Sequence, residues 1–143
     1  MARIVVGVDD SPAAAAALRW ALEEARLRRA TLEVVHTWVF PAVGEIPGGA
    51  VDTIVTDLER AATDMLGEIV QGVVGADPGV EVVQRVLEGA PGRILVEAAA
   101  GADLLVVGSR GRGGFVGLLL GSVAHQCVHH ASCPVVVVRQ AQG

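Results

Sequence analysis

The sequence predicts a single-domain α/β protein with an open, doubly wound sheet of five parallel strands. Short apolar runs rich in valine and isoleucine alternate along the chain with longer segments of helical periodicity. The chain has 143 residues, of which 52% are apolar, and this is enough for one domain with its own core. Strict alternation of strand and helix indicates a parallel sheet covered on both faces, with flavodoxin-like, Rossmann-like and related strand orders as candidates.

The first strand and helix show the pattern clearly. The run Ile4-Val5-Val6-Gly7-Val8 is apolar throughout, which indicates a strand buried on both faces. Asp10 and Ser11 then offer an N-cap, and Pro12 fits the first helical turn. The apolar residues of this helix share one face at helical spacing, namely Ala14, Leu18, Ala21, Leu22 and Ala25.

The rest of the chain repeats the alternation. A loop rich in proline and glycine is predicted over 41–49, and a second glycine-rich loop over 109–120. The remaining predicted elements are, in order, a strand over 31–37, a long amphipathic helix over 51–73, a strand over 80–87, a short helix opening at Pro91, a strand over 103–108, a helix over 122–131 and a strand over 134–139.

Charge and composition exclude several classes of function. The 11 basic residues, all arginine, and the 16 acidic residues give a net charge of −5, which argues against a nucleic-acid partner. Aromatic residues make up only 3%, with no tyrosine, and this disfavours a base-stacking surface. No apolar run reaches the roughly 20 residues of a membrane-spanning helix, and Asp9 follows the amino terminus too closely for a signal peptide. We therefore expect a cytoplasmic protein without a membrane partner.

Two pairs of residues could be read as metal or redox sites. His125 and His129 have the i, i+4 spacing of metal ligands, but no acidic residue joins them, so we expect a helix surface and no metal site. Cys127 and Cys133 are expected to be small core residues rather than a redox pair. A third pair, Trp38 and Phe40, is either a lid over a ligand or ordinary packing, and the sequence leaves both open.

A ligand crevice is expected beyond the carboxyl ends of the first and fourth strands. Open parallel sheets bind ligands there, at the point where the strand order reverses. Gly108 and Gly111 allow backbone amides to turn inward, and Gly121 allows a ligand to approach the next helix, which Ser122 can cap. The amides of residues 122–124 then form an anion site that suits a phosphate chain, with an ordinary surface loop as the competing interpretation. The chain has no lysine, so this is not a Walker-type phosphate loop.

The spacing Gly108-x2-Gly111-x9-Gly121-Ser122 resembles the nucleotide-binding pattern of the universal stress protein family. Further matches are Val8-Asp9-Asp10-Ser11-Pro12, Gly89-x-Pro91 and the closing Cys133-Pro134 followed by four valines, so the resemblance covers the whole chain. It points to the ATP-binding subgroup, with an adenine nucleotide alpha hydrolase-like fold. The implied cofactor is ATP, with Mg²⁺ on its phosphate oxygens.

The resemblance also implies roles for individual residues. By this resemblance Asp9 contacts the adenine–ribose end, a placement that electrostatics supports because a carboxylate beside a triphosphate would weaken binding, whereas Asp10 is expected to be a helix cap. Ala124 stands where many relatives have a hydroxyl residue, which removes one phosphate contact. The other implied contacts are Gly7 and Val8 with the base, the backbone of Thr37 with the adenine edge, Val107, Gly108, Arg110 and Gly111 with ribose and phosphates, and Gly121, Ser122 and Val123 with the phosphates.

These features predict an ATP-binding regulatory protein of the stress response, without catalytic residues and with a protein partner that the sequence does not identify. Two alternatives stay open: a slow ATPase or adenylyl-transferring enzyme on the same fold, and an interaction module that binds no nucleotide.

We also expect a homodimer. Residues 135–138 form an apolar strand at the end of the chain, an open edge invites another chain, and the resemblance implies antiparallel pairing across a two-fold axis.

Overall fold

The computed structural model describes residues 2–40, 51–110 and 120–140, in which five strands and four helices alternate. The elements are β1 (Arg3–Gly7), α1 (Pro12–Arg28), β2 (Thr31–Trp38), α2 (Val51–Val73), β3 (Val82–Glu88), α3 (Pro91–Ala98), β4 (Leu104–Gly108), α4 (Ser122–His130) and β5 (Val135–Val138). The predicted elements are therefore confirmed, with ends that differ by one or two residues. The predicted loop over 41–49 and most of the second glycine-rich loop lie outside the described residues.

The sheet is parallel throughout, and its strand order is β3-β2-β1-β4-β5. This order matches the first five strands of the Rossmann-like arrangement, and the flavodoxin-like order is not adopted. Strand β2 pairs with one side of β1, and β3 pairs with the far side of β2. Strand β4 then pairs with the other side of β1, with Ile4 opposite Leu104. The first and fourth strands are therefore neighbours at the switch point, as the sequence predicts.

Each face of the sheet has its own core. Ile4 and Val6 pack with α1 and α2 on one face, and Val5 packs with α3 and α4 on the other. Cys127 is buried in the second core, Cys133 packs against that core, and both are free thiols, which confirms their expected packing role. Burial, together with the neighbouring Cys133, raises the pKa of Cys127 to about 11, so this thiol stays protonated and unreactive at neutral pH.

Helix α1 begins at a side-chain cap. The Oγ atom of Ser11 accepts a hydrogen bond from the amide of Ala14 at 3.2 Å, and Pro12 occupies the first turn. The expectation that Asp10 caps this helix is wrong, because Ser11 occupies the N-cap position. The helix ends at Arg28 and is followed by its C-cap residue Arg29, whose left-handed backbone has φ 54° and ψ 44°.

Helix α2 is buried along only part of its length. It runs for 23 residues, yet its buried side chains are Ala62, Leu66 and Val70, which lie between its midpoint and its carboxyl-terminal end. The apolar residues of its first half, such as Ile54 and Leu58, are only half-buried. The predicted apolar stripe thus packs fully over about half of the helix.

Within the described ranges, no helix has both the length and the hydropathy to cross a membrane.

Glu33 is a buried carboxylate on β2, with 8% of the residue exposed, and two arginines hold it. Arg3 Nη1 donates to Oε2 at 2.7 Å, and Arg85 Nη1 donates to Oε1 at 3.0 Å. Arg3 also donates to the carbonyls of Ala98 and Ala100, so it ties β1 to the end of α3. Burial by itself raises the pKa of Glu33, but the hydrogen bonds and charges of the two arginines outweigh it and hold the pKa below its usual value.

We expect Glu33→Gln to lower the free energy of unfolding at pH 7 by about 1–3 kcal/mol, the scale of lost hydrogen bonds to a charged group. The folded pKa of Glu33 lies below its unfolded value. Its stabilisation is therefore complete above the unfolded pKa and is lost as the pH falls through the folded pKa. Urea unfolding between pH 7 and about pH 3 should accordingly show a flatter pH dependence for the variant.

The matched control is Glu97→Gln. Glu97 pairs with Arg93 at 3.3 Å on the surface, with both side chains more than half exposed, so its loss should change stability by less than about 0.5 kcal/mol. Superimposable pH profiles for Glu33→Gln and the wild type would contradict the role assigned to Glu33.

Candidate functional site

A cavity of about 260 Å³ lies at the carboxyl ends of β1, β2 and β4, beside the switch point. Eleven of the twelve residues that the sequence pattern singled out line it, and the twelfth, Gly111, lies outside the described residues. These eleven are Gly7, Val8, Asp9, Thr37, Val107, Gly108, Arg110, Gly121, Ser122, Val123 and Ala124. The fold thus brings together residues separated by more than 100 positions in the chain.

Sequence reasoning missed five residues of the cavity wall, which are Ala14, Val35, His36, Pro91 and Leu95. Pro91 was visible as part of the Gly89-x-Pro91 match, but nothing in the sequence placed the start of α3 against the crevice. Val35 and His36 directly precede Thr37 on β2, so their position beside the site could have been inferred from the strand.

Three hydrogen bonds fix the turn between β1 and α1. The Val8 amide donates to the carbonyl of Val35 at 2.9 Å, and Nδ1 of His36 lies 2.9 Å from the carbonyl of Val8. The amide of Ser11 donates to Oδ1 of Asp9 at 2.9 Å. The Asp9 carboxylate is thereby held at the cavity wall by its own turn, where it accepts a hydrogen bond from the local backbone.

The other end of the cavity is the start of α4. Gly121 occupies its N-cap with φ −69° and ψ 167°, and among the described residues no side chain caps the helix. The expectation that Ser122 caps α4 is therefore wrong, because Ser122 is the first residue inside the helix. The amide of Gly121 donates to the carbonyl of Ser109 at 2.6 Å, which ties the helix start to the end of β4. The first amides of α4 lack acceptors within the helix and, with the positive end of its dipole, favour an anion.

Gly108, the last residue of β4, is in close contact with α1, which the sequence did not reveal. A Cβ atom there would lie 3.0 Å from the backbone carbon and oxygen of Ala13. Helix α1 therefore packs directly on the backbone of β4. Close packing, rather than an inward turn of the amide, is the physical requirement at this position.

Metal coordination gains no support from the described part of the chain, where no three His, Cys, Asp or Glu residues are grouped as potential ligands. His125 and His129 are exposed on α4, with ring centroids 4.3 Å apart, and form a helix surface. Trp38 and Phe40 are half-buried and are not among the cavity residues.

The fold and the site define a doubly wound α/β domain with a ligand crevice at its topological switch point. The model of the universal stress protein family matches residues 1–139, and the chain belongs to this family. The universal stress protein Rv2005c of Mycobacterium tuberculosis is 39% identical over 140 residues, which are 98% of this chain but 46% of that protein. The chain thus spans about half the length of the curated relatives it matches.

Solved structures agree with the assignment. Universal stress protein UspA from Lactobacillus plantarum has a TM-score of 0.78 and 26% identity, covering 96% of this chain and 97% of its own. The universal stress protein from Archaeoglobus fulgidus in complex with dAMP has a TM-score of 0.67 and 29% identity, covering 96% and 98%. A further universal stress protein, in complex with cAMP, has a TM-score of 0.62 and 27% identity, covering 98% of each chain.

We expect Gly108→Ala to destabilise the fold by about 1–3 kcal/mol, because the added Cβ forces α1 away from β4. The matched control is Gly67→Ala in the middle of α2, where a Cβ meets only Gln84 Oε1 at 4.0 Å. That substitution should stabilise by up to about 1 kcal/mol through helix propensity. Thermal unfolding of both variants measures the difference, and equal melting temperatures would refute the packing constraint at Gly108.

Proposed function

We propose that this protein binds ATP in the switch-point cavity and acts in the cytoplasm as a nucleotide-responsive regulatory dimer of the stress response. The observation that supports this best is the convergence of the nucleotide-binding pattern on one cavity that ends at the glycine-capped start of α4. The two relatives solved with dAMP and cAMP support an adenine nucleotide as the ligand class. In the cytoplasm the free thiols of Cys127 and Cys133 stay reduced.

Charge sets the orientation of the nucleotide. The phosphates bind at the start of α4, where the amides of residues 122–124 and the helix dipole favour anions. The Asp9 carboxylate repels phosphate and therefore faces the base and ribose. Strand β2 lies two strands away from β4, which is roughly 10 Å at the usual spacing of a sheet. The base accordingly lies beside β2, next to Thr37.

The phosphate end of the cavity suits a triphosphate with its own metal. Arg110 supplies positive charge there, and Ser122 supplies a hydroxyl. Since the described residues at this end include no carboxylate, Mg²⁺ would be held by phosphate oxygens and water, as this ion commonly is. Ala124 offers only its amide, so the protein makes one contact fewer than a hydroxyl residue would allow.

The same cavity is poorly suited to hydrolysis. Cleavage needs a group that orients water and a group that stabilises charge on the transferred phosphoryl. The described cavity residues at the phosphate end, Gly108, Arg110 and 121–124, offer charge but no carboxylate or imidazole. His125 is exposed one turn along α4 and does not line the cavity. Binding without efficient turnover is therefore the proposed activity.

The dimer would form through β5, at the edge of the sheet. Leu105 donates to the carbonyl of Pro134, and Ser109 donates to that of Val138, so the even-numbered residues of β5 bond to β4. Alternation along a parallel strand then turns the N–H and C=O groups of Val135 and Val137 toward the open edge. A second copy can satisfy these groups by antiparallel pairing across a two-fold axis.

We expect Gly121→Val to abolish ATP binding, because a branched side chain then stands at the helix start where phosphate must approach. Ser122→Ala should weaken binding by about 1–2 kcal/mol, the scale of one hydrogen bond to a charged group. Calorimetric titration with ATP and Mg²⁺ measures both effects.

Two controls match these substitutions. Gly72→Val lies on α2, where a Cβ meets nothing within 4 Å, and Ser132→Ala lies on the surface outside the cavity. Both should bind ATP as the wild type does. Unchanged affinity in Gly121→Val would rule out the phosphate assignment. Steady wild-type turnover above about one per second, an ordinary enzyme rate, would favour the enzymatic alternative.

We expect Val137→Pro to give a folded monomer, because proline removes an outward N–H without breaking the ladder to β4. The control Val137→Ile keeps that N–H and should remain dimeric. Sedimentation at micromolar concentration should give twice the chain mass for the wild type and the control. A monomeric wild type, with or without ATP, would contradict the proposed dimer.

A further inference from the structure

His36 is a buried histidine in the cavity wall that the sequence pattern did not single out. It lies on β2 between Val35 and Thr37, is 8% exposed, and lines the cavity together with both neighbours. Its position on β2 places it at the end of the cavity away from α4.

One nitrogen of His36 has a fixed role. Nδ1 lies 2.9 Å from the carbonyl oxygen of Val8. A carbonyl oxygen can only accept a hydrogen bond, so Nδ1 must carry the hydrogen and donate it. In the neutral ring this fixes the tautomer, and Nε2 is left with a lone pair and acts as an acceptor.

The second nitrogen is reached from the cavity. Within the described residues, the hydrogen bond of the His36 side chain is made through Nδ1. In the same part of the chain, no buried side-chain nitrogen or oxygen lacks a partner. Nε2 is therefore not sealed inside the core, and the space next to His36 is the cavity.

The cavity that His36 lines suits the base of a nucleotide. Val35 and Leu95 contribute apolar surface to the same cavity, as the faces of a purine require. The phosphate-binding start of α4 borders β4, two strand spacings from β2. An acceptor at this end meets the edge of the base, where a purine carries its exocyclic groups.

We propose that His36 is a specificity-determining residue: its Nε2 accepts a hydrogen bond from the 6-amino group of the bound base, and the cavity thereby selects a 6-aminopurine. This rests on the proposed function, since it assumes a nucleotide in the cavity. A base without the amino group leaves Nε2 without its donor, and a buried acceptor without a partner is costly.

The test separates the two nitrogens of the ring. In His36→Asn the amide nitrogen reaches the position of Nδ1 and keeps the bond to Val8, but the acceptor at Nε2 is lost. In His36→Gln the amide oxygen reaches the position of Nε2 and keeps the acceptor, but the donor to Val8 is lost. The matched control is His129→Asn, an exposed histidine on α4 outside the cavity.

The ligands are ATP and purine riboside triphosphate, which differ only in the 6-amino group. Each protein is titrated with both at pH 8, where an ordinary imidazole is neutral. The quantity compared is the ratio of the two dissociation constants. The backbone of Thr37 can also bind the amino group, so the change in this ratio between proteins is decisive, as in a double-mutant cycle.

We expect the preference for ATP to fall roughly three- to tenfold in His36→Asn, and to persist in His36→Gln and His129→Asn. An unchanged preference in a His36→Asn variant that still binds ATP would overturn the proposal and leave His36 as a support for Val8. If His36→Asn does not fold, His36→Gln decides. Loss of the preference for ATP in His36→Gln would overturn the proposal, and retention of that preference would support the proposal. If the wild type binds neither ligand, the proposed function itself fails. If the wild type binds both ligands with equal affinity, the role of His36 is refuted and the proposed function stands.

Discussion

The pairing of β1 with β4 is the constraint on which the rest of the structure depends. It joins residues about 100 positions apart, as between Ile4 and Leu104, and it reverses the direction in which the sheet grows. The helices that follow these two strands therefore lie on opposite faces, and their starting turns separate above the sheet edge. The cavity is the space left by this separation. Gly108 favours this arrangement, because the absence of a Cβ leaves room for Ala13 of α1 at the end of β4.

The elements could be predicted from the sequence because their signals are local. An uninterrupted β-branched run such as 135–138 has few alternatives, and the alanine-rich face of α1 has a clear helical period. The strand order was harder to predict from the sequence, since two doubly wound strand orders fit the same alternation of strands and helices. The contact between Gly108 and Ala13 was not predictable at all, because it depends on how closely two distant segments pack. The same limit explains why Pro91 and Leu95 were missed.

Helix caps show a finer limit of sequence reasoning. Asp10 and Ser11 are both good N-cap residues, as are Gly121 and Ser122, and a shift of one residue decides which is used. For α4 the shift matters, because a glycine cap has no side-chain acceptor to offer the first amides. The Asp9 carboxylate accepts a hydrogen bond from the Ser11 amide and also borders the cavity. A residue of this kind cannot be assigned to one role from its neighbours in the sequence.

The partial burial of α2 gives its two halves different free energies of local unfolding. Its second half is held by Ala62, Leu66 and Val70, whereas its first half has no buried side chain. Local opening free energy follows such differences in burial, so backbone amides before Ala62 exchange with solvent through fraying of the helix rather than through unfolding of the domain. The cavity depends on none of these turns, because its walls are β1, β2, β4 and the helices that start beside them. The first half of α2 is therefore a part of the described chain where substitutions and chain cleavage leave the walls of the cavity in place.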